Sequence, residues 1–482
     1  MKLKLKLLGT CLGLVLSCTN SYAVTGVSEL LNGVGAGVSA LGTKVILQAN
    51  ASDIAALDTV VVANFTTGQF AGLSTVQIPA LTTAQLAGVT TAQIGAMTSA
   101  QAKVLTSTQV AALPSISNMG SAVITAITTA ALPSLPTSLL TTLTTAQIAA
   151  LTAAQVGVLS AGQASALTTT QMPALGTAQL AAMTSAQFAA LSSTQINTLS
   201  NSGVASLGSA KIAAMPTSVM SGLSTALVPY IVDTVIPYMT TAQIAAIQSA
   251  QLAVLDLTQV NALTSAQLSA IGSAVFSALT SRQIPALHTA ALAGIPTSVM
   301  SAITLAQITA LNTAQLNALS SAQINSIPSG TFSTLTTAST GQIPSLPTSL
   351  IANLPTTLLT GLGTSLTALT STQVNALTST QLSAMTTSVT SLSSSGIRGL
   401  NSNNIAGLTT AALAGLTSAK IQAIPTAAIP GVDFGAAIAA NITALLTNTT
   451  GFTTAQQRAF TTKQFGATNF DTSVFATWLT QH

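Results

Sequence analysis

Charge is what this chain has least of. Only 4% of its 482 residues are Asp, Glu, Lys or Arg, against roughly 25% in ordinary soluble domains. Aromatic residues make up 3%, with a single tryptophan, and there are two histidines and two cysteines. Each scarcity excludes something. Both cysteines, Cys11 and Cys18, precede residue 20, so the rest of the chain has no disulfide and no thiolate metal site. The few Lys and Arg residues form no basic patch, which argues against a nucleic-acid partner. A catalytic centre needs several titratable groups brought together, and the chain contains no phosphate loop, HExxH, nucleophile elbow or EF-hand loop. No catalytic, cofactor-binding or metal-binding residue is therefore assigned. No stretch reads as a transmembrane helix either. The most apolar segment, 226–239, carries Asp233 and two prolines, Pro229 and Pro237. At 48% hydrophobic residues, dominated by Ala, Thr, Leu and Ser, the sequence is also too apolar for a disordered linker.

The first 23 residues read as a secretory signal. Lys2, Lys4 and Lys6 form a positive start, residues 7–17 a short apolar core, and Ser21-Tyr22-Ala23 a small-x-small cleavage site. An alternative treats residues 15–18 as a lipobox with Cys18 as a lipidated terminus, to which Leu16 is poorly suited. Loss of residues 1–23 removes three of the eleven basic residues, leaving eight against seven acidic ones, a net charge of +1.

What is abundant is one phrase. Residues 81–105 read LTTAQLAGVTTAQIGAMTSAQAKVL, and the phrase returns every eight positions. With Thr82 as position 1 and Val89 as position 8, the frame runs through 50–113 and, after a six-residue slip at 114–119, through 120–343. Further slips fall at 344–346, 363–369 and 386–392, giving 45 octads up to residue 432. Positions 5 and 8 are apolar almost throughout, position 1 is usually Thr, Ser, Gly or Pro, and position 4 is Gln in 23 of the 45 octads. Such persistence denotes an array whose units rest on one another.

Eight residues suit neither a continuous helix nor a strand. At 100° per residue an octad overshoots two helical turns by about 80°, so the apolar stripe would wind around a long helix. In a strand, positions 5 and 8 would face opposite sides. The backbone must break once per octad, and Thr/Ser-x-x-Gln is the capping box that marks the break. Proline provides an internal control, because it has no N–H for the Gln to reach. The seven octads that begin with proline (at 136, 216, 296, 328, 347, 355 and 425) all lack Gln at position 4. Prolines at position 6, such as Pro79, Pro173 and Pro285, remove one helical bond and should push position 5 towards extended geometry. The expected fold is an all-α solenoid of very short capped helices, with a β-solenoid as the alternative. The expected organisation is a signal (1–23), a Gly-rich lead-in (24–49), the solenoid (50–432) and a C-terminal cap or docking segment (433–482). As a cap alone, each Gln should be worth roughly 0.5–1 kcal/mol.

The charged residues sit away from positions 5 and 8, which assigns them to the solvent side. Asp58, Asp256, Asp433 and His288 take position 1, where they cap or oppose a helix dipole. Asp233 is at position 2, Asp53, Lys211 and Lys420 at position 4, Arg282 at position 3, and Lys103 and Arg398 at position 6; His482 ends the chain. The C-terminal segment gathers Phe460, Phe465, Phe470, Phe475 and Trp478, the candidate interface residues.

The phrase L-T-x-x-Q-[I/V]-x-A-L, over about residues 50–432, resembles the low-complexity repeats of bacterial secreted and cell-surface proteins often described as adhesin-like. The resemblance implies an exported structural or attachment protein and carries over no functional residue. Together with the composition it leads us to expect a non-enzymatic protein that forms or decorates an extracellular or cell-surface structure, self-associates, needs no cofactor and has no transmembrane span. The alternative is a periplasmic or surface binding module, including an ice- or interface-binding Thr-rich solenoid. The first test concerns export: intact-mass measurement of the mature protein should place its N-terminus at Val24, and a diacylated Cys18 terminus would refute the cleavage assignment.

Overall fold

The computed structural model describes residues 27–42, 46–334, 342–432 and 451–461. The signal, Asp433, Phe465, Phe470, Phe475, Trp478 and His482 lie outside them. Among the described residues the chain is a succession of α- and 3-10 helices of at most eight residues, with no strand. This is the all-α repeat solenoid, not the β-solenoid.

The octad 82–89 shows how the repeat folds. Thr82 is extended (φ −71°, ψ 159°), Thr83–Ala87 is one helical turn and Gly88 closes it in the αR region. The Leu86 N–H donates to the Thr82 carbonyl at 3.0 Å and the Val89 N–H to the Leu86 carbonyl at 3.2 Å. Positions 8 and 1 form the extended link to the next turn, as Leu151 (ψ 136°) and Thr152 (ψ 156°) show. Leu86 and Val89, positions 5 and 8, are both buried, and the same pair is buried from octad to octad. An isolated turn of this length is unstable in water. Its stability comes from burying that pair against neighbouring octads, each aliphatic side chain contributing about 1.5–3 kcal/mol before ordering entropy.

Neighbours in space are not neighbours in sequence. The helix Thr59–Ala63 packs on Thr83–Ala87, and Ala153–Gly157 on Thr177–Ala182, each three octads further on. Side-chain hydrogen bonds described below join octads four apart. One coil therefore holds between three and four octads, a staggered packing in which each turn rests across two turns of the preceding coil. The chain divides into two compact units, 1–239 and 240–482, and the same spacing recurs in the second, where Thr241–Ala245 packs on Ser265–Ala270.

Departures from the octad have local causes. Where position 6 is proline the turn tightens to a 3-10 helix, as at Ile78–Ala80, Met172–Ala174 and Ile284–Ala286. Position 5 thus stays helical instead of becoming extended. The Ile78 N–H still reaches the Ser74 carbonyl (3.1 Å), while the Ala80 N–H bonds Gln77 at 3.1 Å, a spacing that bypasses the missing proline donor. The six-residue unit 114–119 buries Ile116 and Met119 in the roles of positions 5 and 8. The seven-residue units 363–369 and 386–392 start at Gly363 and Thr386, both at positive φ (53° and 42°). The residue before each is αR rather than extended, so an αR residue followed by one at positive φ replaces the two-residue link and saves one residue. Gly tolerates this conformation, whereas Thr, being β-branched, is strained in it.

One slip is placed differently by the structure. Gln342, Ile343 and Leu346 are buried, and Ile343–Ser345 is the 3-10 turn that marks a position-6 proline. Gln342, Ile343, Pro344 and Leu346 therefore hold positions 4, 5, 6 and 8, and the three extra residues precede this octad instead of occupying 344–346. The frame drifted there because 335–346 offers Leu and Ile in two registers, and only packing chooses between them.

Close approach between coils occurs at position 7. A Cβ built on Gly399 would lie 2.0 Å from the Ser371 carbonyl oxygen, and one on Gly431 would lie 2.1 Å from that of Ser402. In both cases the neighbour is position 2 three units earlier, and it is backbone. Gly399→Ala should therefore force the coils apart and destabilise by about 1–3 kcal/mol, read as a lower midpoint in denaturant. Gly272→Ala, where a Cβ meets nothing within 4 Å, should be neutral or slightly stabilising.

Candidate functional site

The most regular arrangement of polar groups in the chain is built on position 4. In octad 82–89 the Thr82 hydroxyl accepts from the Gln85 N–H at 3.2 Å, and Gln85 Oε1 accepts from the Thr82 N–H at 2.7 Å. That is the capping box expected from the sequence. The same amide does more. Gln85 Nε2 donates to the carbonyls of Ile54 (2.9 Å) and Leu57 (2.6 Å), positions 5 and 8 of the octad four units earlier. Gln93 bridges Val62 and Phe65, Gln101 bridges Phe70 and Leu73, and Gln187 bridges Val156 and Leu159. In the second unit Gln283 bridges Leu252 and Leu255, and Gln381 bridges Ile351 and Leu354. The amides are buried, so they saturate carbonyls that water does not reach. We call this line of bridges the glutamine seam.

The seam extends beyond the octads visible in sequence. Gln69 donates to Val38 and Leu41, and Gln77 to Ile46 and Ala49. Val38 with Leu41 and Ile46 with Ala49 thus take the roles of positions 5 and 8 although the consensus is absent there. At the other end, Thr453 and Gln456 form a capping box, and Gln456 Nε2 bridges Ile421 and Ile424. Of the candidate interface residues only Phe460 is described. It is half-buried and meets Phe452 edge to face, ring centres 5.3 Å apart.

Position 4 faces inward whatever occupies it, which corrects the assignment of every charge to the solvent side. Asp53 is buried and completes a capping box with Asn50. Lys211 Nζ donates to the Ala181 carbonyl at 2.8 Å, and Lys420 Nζ to that of Thr390, so each lysine reaches back as a glutamine does. Asn404 makes a shorter version to Val374 (3.0 Å). In the proline-led octads Val219, Val299, Leu350 and Leu358 fill the place with buried apolar side chains. At position 1, His288 and Asp256 cap their turns, whereas Asp58 makes no side-chain cap hydrogen bond. His288 Nδ1 accepts from the Ala290 N–H. Burial pushes the Asp256 carboxyl up, but hydrogen bonds from the Thr258 hydroxyl and the Gln259 and Thr258 N–H groups outweigh it and hold the carboxyl below its ordinary range. Its capping contribution is therefore present above that range and is lost as pH falls through it.

Among the described residues no three His, Cys, Asp or Glu side chains come close enough to hold a metal ion, and no helix is long and apolar enough to cross a membrane. The fold and the seam define a repeat protein of the α-solenoid class. A family model described as the ALTTAQ repeat matches residues 51–83, 81–115 and 169–201, less than half of the chain. Its wording is read directly in Ala80-Leu81-Thr82-Thr83-Ala84-Gln85. No curated protein matches the chain.

The bridge was not visible in the sequence, because capping explains Thr-x-x-Gln by itself. It also raises the value of each glutamine. Gln155 holds the carbonyls of Ile124 and Ile127, and leaving buried acceptors unpaired costs about 1–3 kcal/mol in addition to the cap. Gln155→Ala should lose about 2–4 kcal/mol in total, well above the value for a cap alone. Gln155→Glu separates the two roles, since a carboxylate can accept from the Thr152 N–H but cannot donate to the carbonyls. It should be strongly destabilised at neutral pH. Its folded-state pKa is raised by burial beside carbonyl oxygens, so stability should recover as pH falls and the side chain regains a proton. Denaturant melts at several pH values would read this, and a pH-independent, cap-sized loss would reduce the seam to capping.

Proposed function

We propose that the chain is an exported, non-enzymatic repeat protein that forms or decorates an extracellular or cell-surface structure and associates with copies of itself. The observation that carries this reading is the use made of polar side chains. Position 1 hydroxyls are consumed in capping their own turns, and position 4 amides in capping and in holding octad to octad. What faces outward at positions 2 and 3 is mostly Thr, Ser and Ala. A nearly uncharged surface lacks the like-charge repulsion that keeps proteins apart, and an array is extended simply by adding octads. The amino-terminal signal and the resemblance to adhesin-like repeats support export.

The ice-binding version of the alternative is less well supported. It would use the regular Thr ladder, yet position 1 hydroxyls are engaged as caps, and position 2 alternates irregularly between Thr, Ser, Ala and other residues. Within this reading the C-terminal segment 433–482 is the docking end. Negative-stain microscopy of the mature protein should show filaments or sheets, and light scattering should fall to the monomer value when 433–482 is deleted. A full-length chain that stays monomeric at high concentration, alone and on cells, would refute the reading; a truncated chain that assembles more strongly would make the segment a stop.

A further inference from the structure

The seam is interrupted at length in two places, 200–239 and 393–432, and in the second Asn404 and Lys420 still reach back to the carbonyls of Val374 and Thr390. Seven consecutive octads, 144–199, carry Gln at position 4, and so do the four at 240–271. Between them lie five octads, 200–239, with Gly203, Lys211, Val219, Leu227 and Val235 in that place. Of these only Lys211 has a side-chain donor, which it spends on the Ala181 carbonyl. The other four carry no side chain at position 4 that can bridge to the octad four units earlier, and the remaining side-chain ties to 144–199 come from that side: Ser185 donates to the Ala210 carbonyl, and Asn197 donates to the Gly222 carbonyl and accepts from the Ser224 N–H. Three prolines, Pro216, Pro229 and Pro237, fall in the same stretch, and Val228–Tyr230 and Asp233–Tyr238 are 3-10 rather than α turns. Tyr230 and Tyr238, exposed there, are aromatic at position 7, where other octads carry smaller residues such as Ala, Gly, Ser, Thr, Asn or Val. The division of the chain into two compact units falls at the last residue of this run.

In a solenoid, stability is a sum of nearest-neighbour terms, so the place with the weakest coil-to-coil term opens first. We propose that 200–239 is a yielding segment built into the array: its octads detach from those four units earlier while 144–199 stays closed, so the chain opens at a set place instead of fraying along its length. The hydrophobic pairs at positions 5 and 8 remain buried throughout the run, so the segment is folded at rest and differs from its flanks in the seam. The proposal does not depend on the function proposed above, because it concerns opening within one chain.

Hydrogen exchange of the full chain, followed by mass spectrometry, tests it. Peptides within 200–239 should exchange at least about tenfold faster than those within 144–199. Restoring a bridge should reverse this locally. Gly203 offers the place, since the Ser200 hydroxyl already accepts from its N–H at 3.1 Å. A Cβ there would meet only side-chain atoms at short range, the nearest being Leu180 Cδ1 at 2.9 Å. Gly203→Gln should slow exchange in 200–207 and 168–175 by about tenfold relative to Gly203→Ala, which supplies the same helix propensity without the amide. Conversely Gln171→Leu, which removes the bridge to Leu140 and Leu143, should quicken exchange in 168–175 and 136–143. Uniform exchange along the array, or a Gln171→Leu variant that leaves both octads unchanged, would overturn the proposal. So would a folded Gly203→Gln protein indistinguishable from Gly203→Ala.

Discussion

A buried carbonyl oxygen without a donor costs more free energy than most single contacts return, and octad after octad of the described array places such oxygens where its helical turn ends. One side chain resolves the problem. The glutamine at position 4 turns its oxygen to the N–H at the start of its own turn and its nitrogen to two carbonyls in the preceding coil. Local capping and coil-to-coil attachment are thereby the work of one amide. Loss of either half leaves a buried group unpaired, so the octad length, the stagger of the coil and the identity of position 4 constrain one another.

The packing follows from the same requirement. Since a bridge spans four units while helices stack three units apart, each turn rests across two others, and insertions or deletions are absorbed wherever the buried pair can be kept. The six- and seven-residue units illustrate this. Each preserves the aliphatic pair, as Ile116 with Met119 or Leu366 with Leu369, and shortens only the helical turn or the link. Apolar residues at position 4 satisfy burial but not the bridge, which makes the seam a graded property. It is dense in some blocks and sparse in others, over a hydrophobic core that hardly varies.

For function, the consequence is a protein whose glutamine amides are turned inward. The outer surface is left largely to small hydroxyl and methyl groups, with isolated charges. Such a surface is suited to contact with copies of itself or with other uncharged material, and its recognition would come from repetition rather than from one pocket.

Much of this was legible in the sequence. The octad period excludes a long helix and a flat strand, the Thr-x-x-Gln spacing identifies a capped turn, and the absence of Gln after Pro136, Pro216 or Pro296 shows that the amide needs the position 1 N–H. These are local relations, decided within one turn by bond geometry and backbone donors. Other features depend on which octads meet. That Gln85 finds Ile54 and Leu57, that Asp53 and Lys420 lie on an inward-facing position, that Val38, Leu41, Ile46 and Ala49 join the array without its consensus, and that Ile343 belongs at position 5 all require knowing how many units make a coil. That number is set by how aliphatic pairs from non-adjacent octads fill a common interior, a property of the packed array that no single octad encodes. The sequence by itself determined the turn; only tertiary packing decided what the turn's free amide would hold.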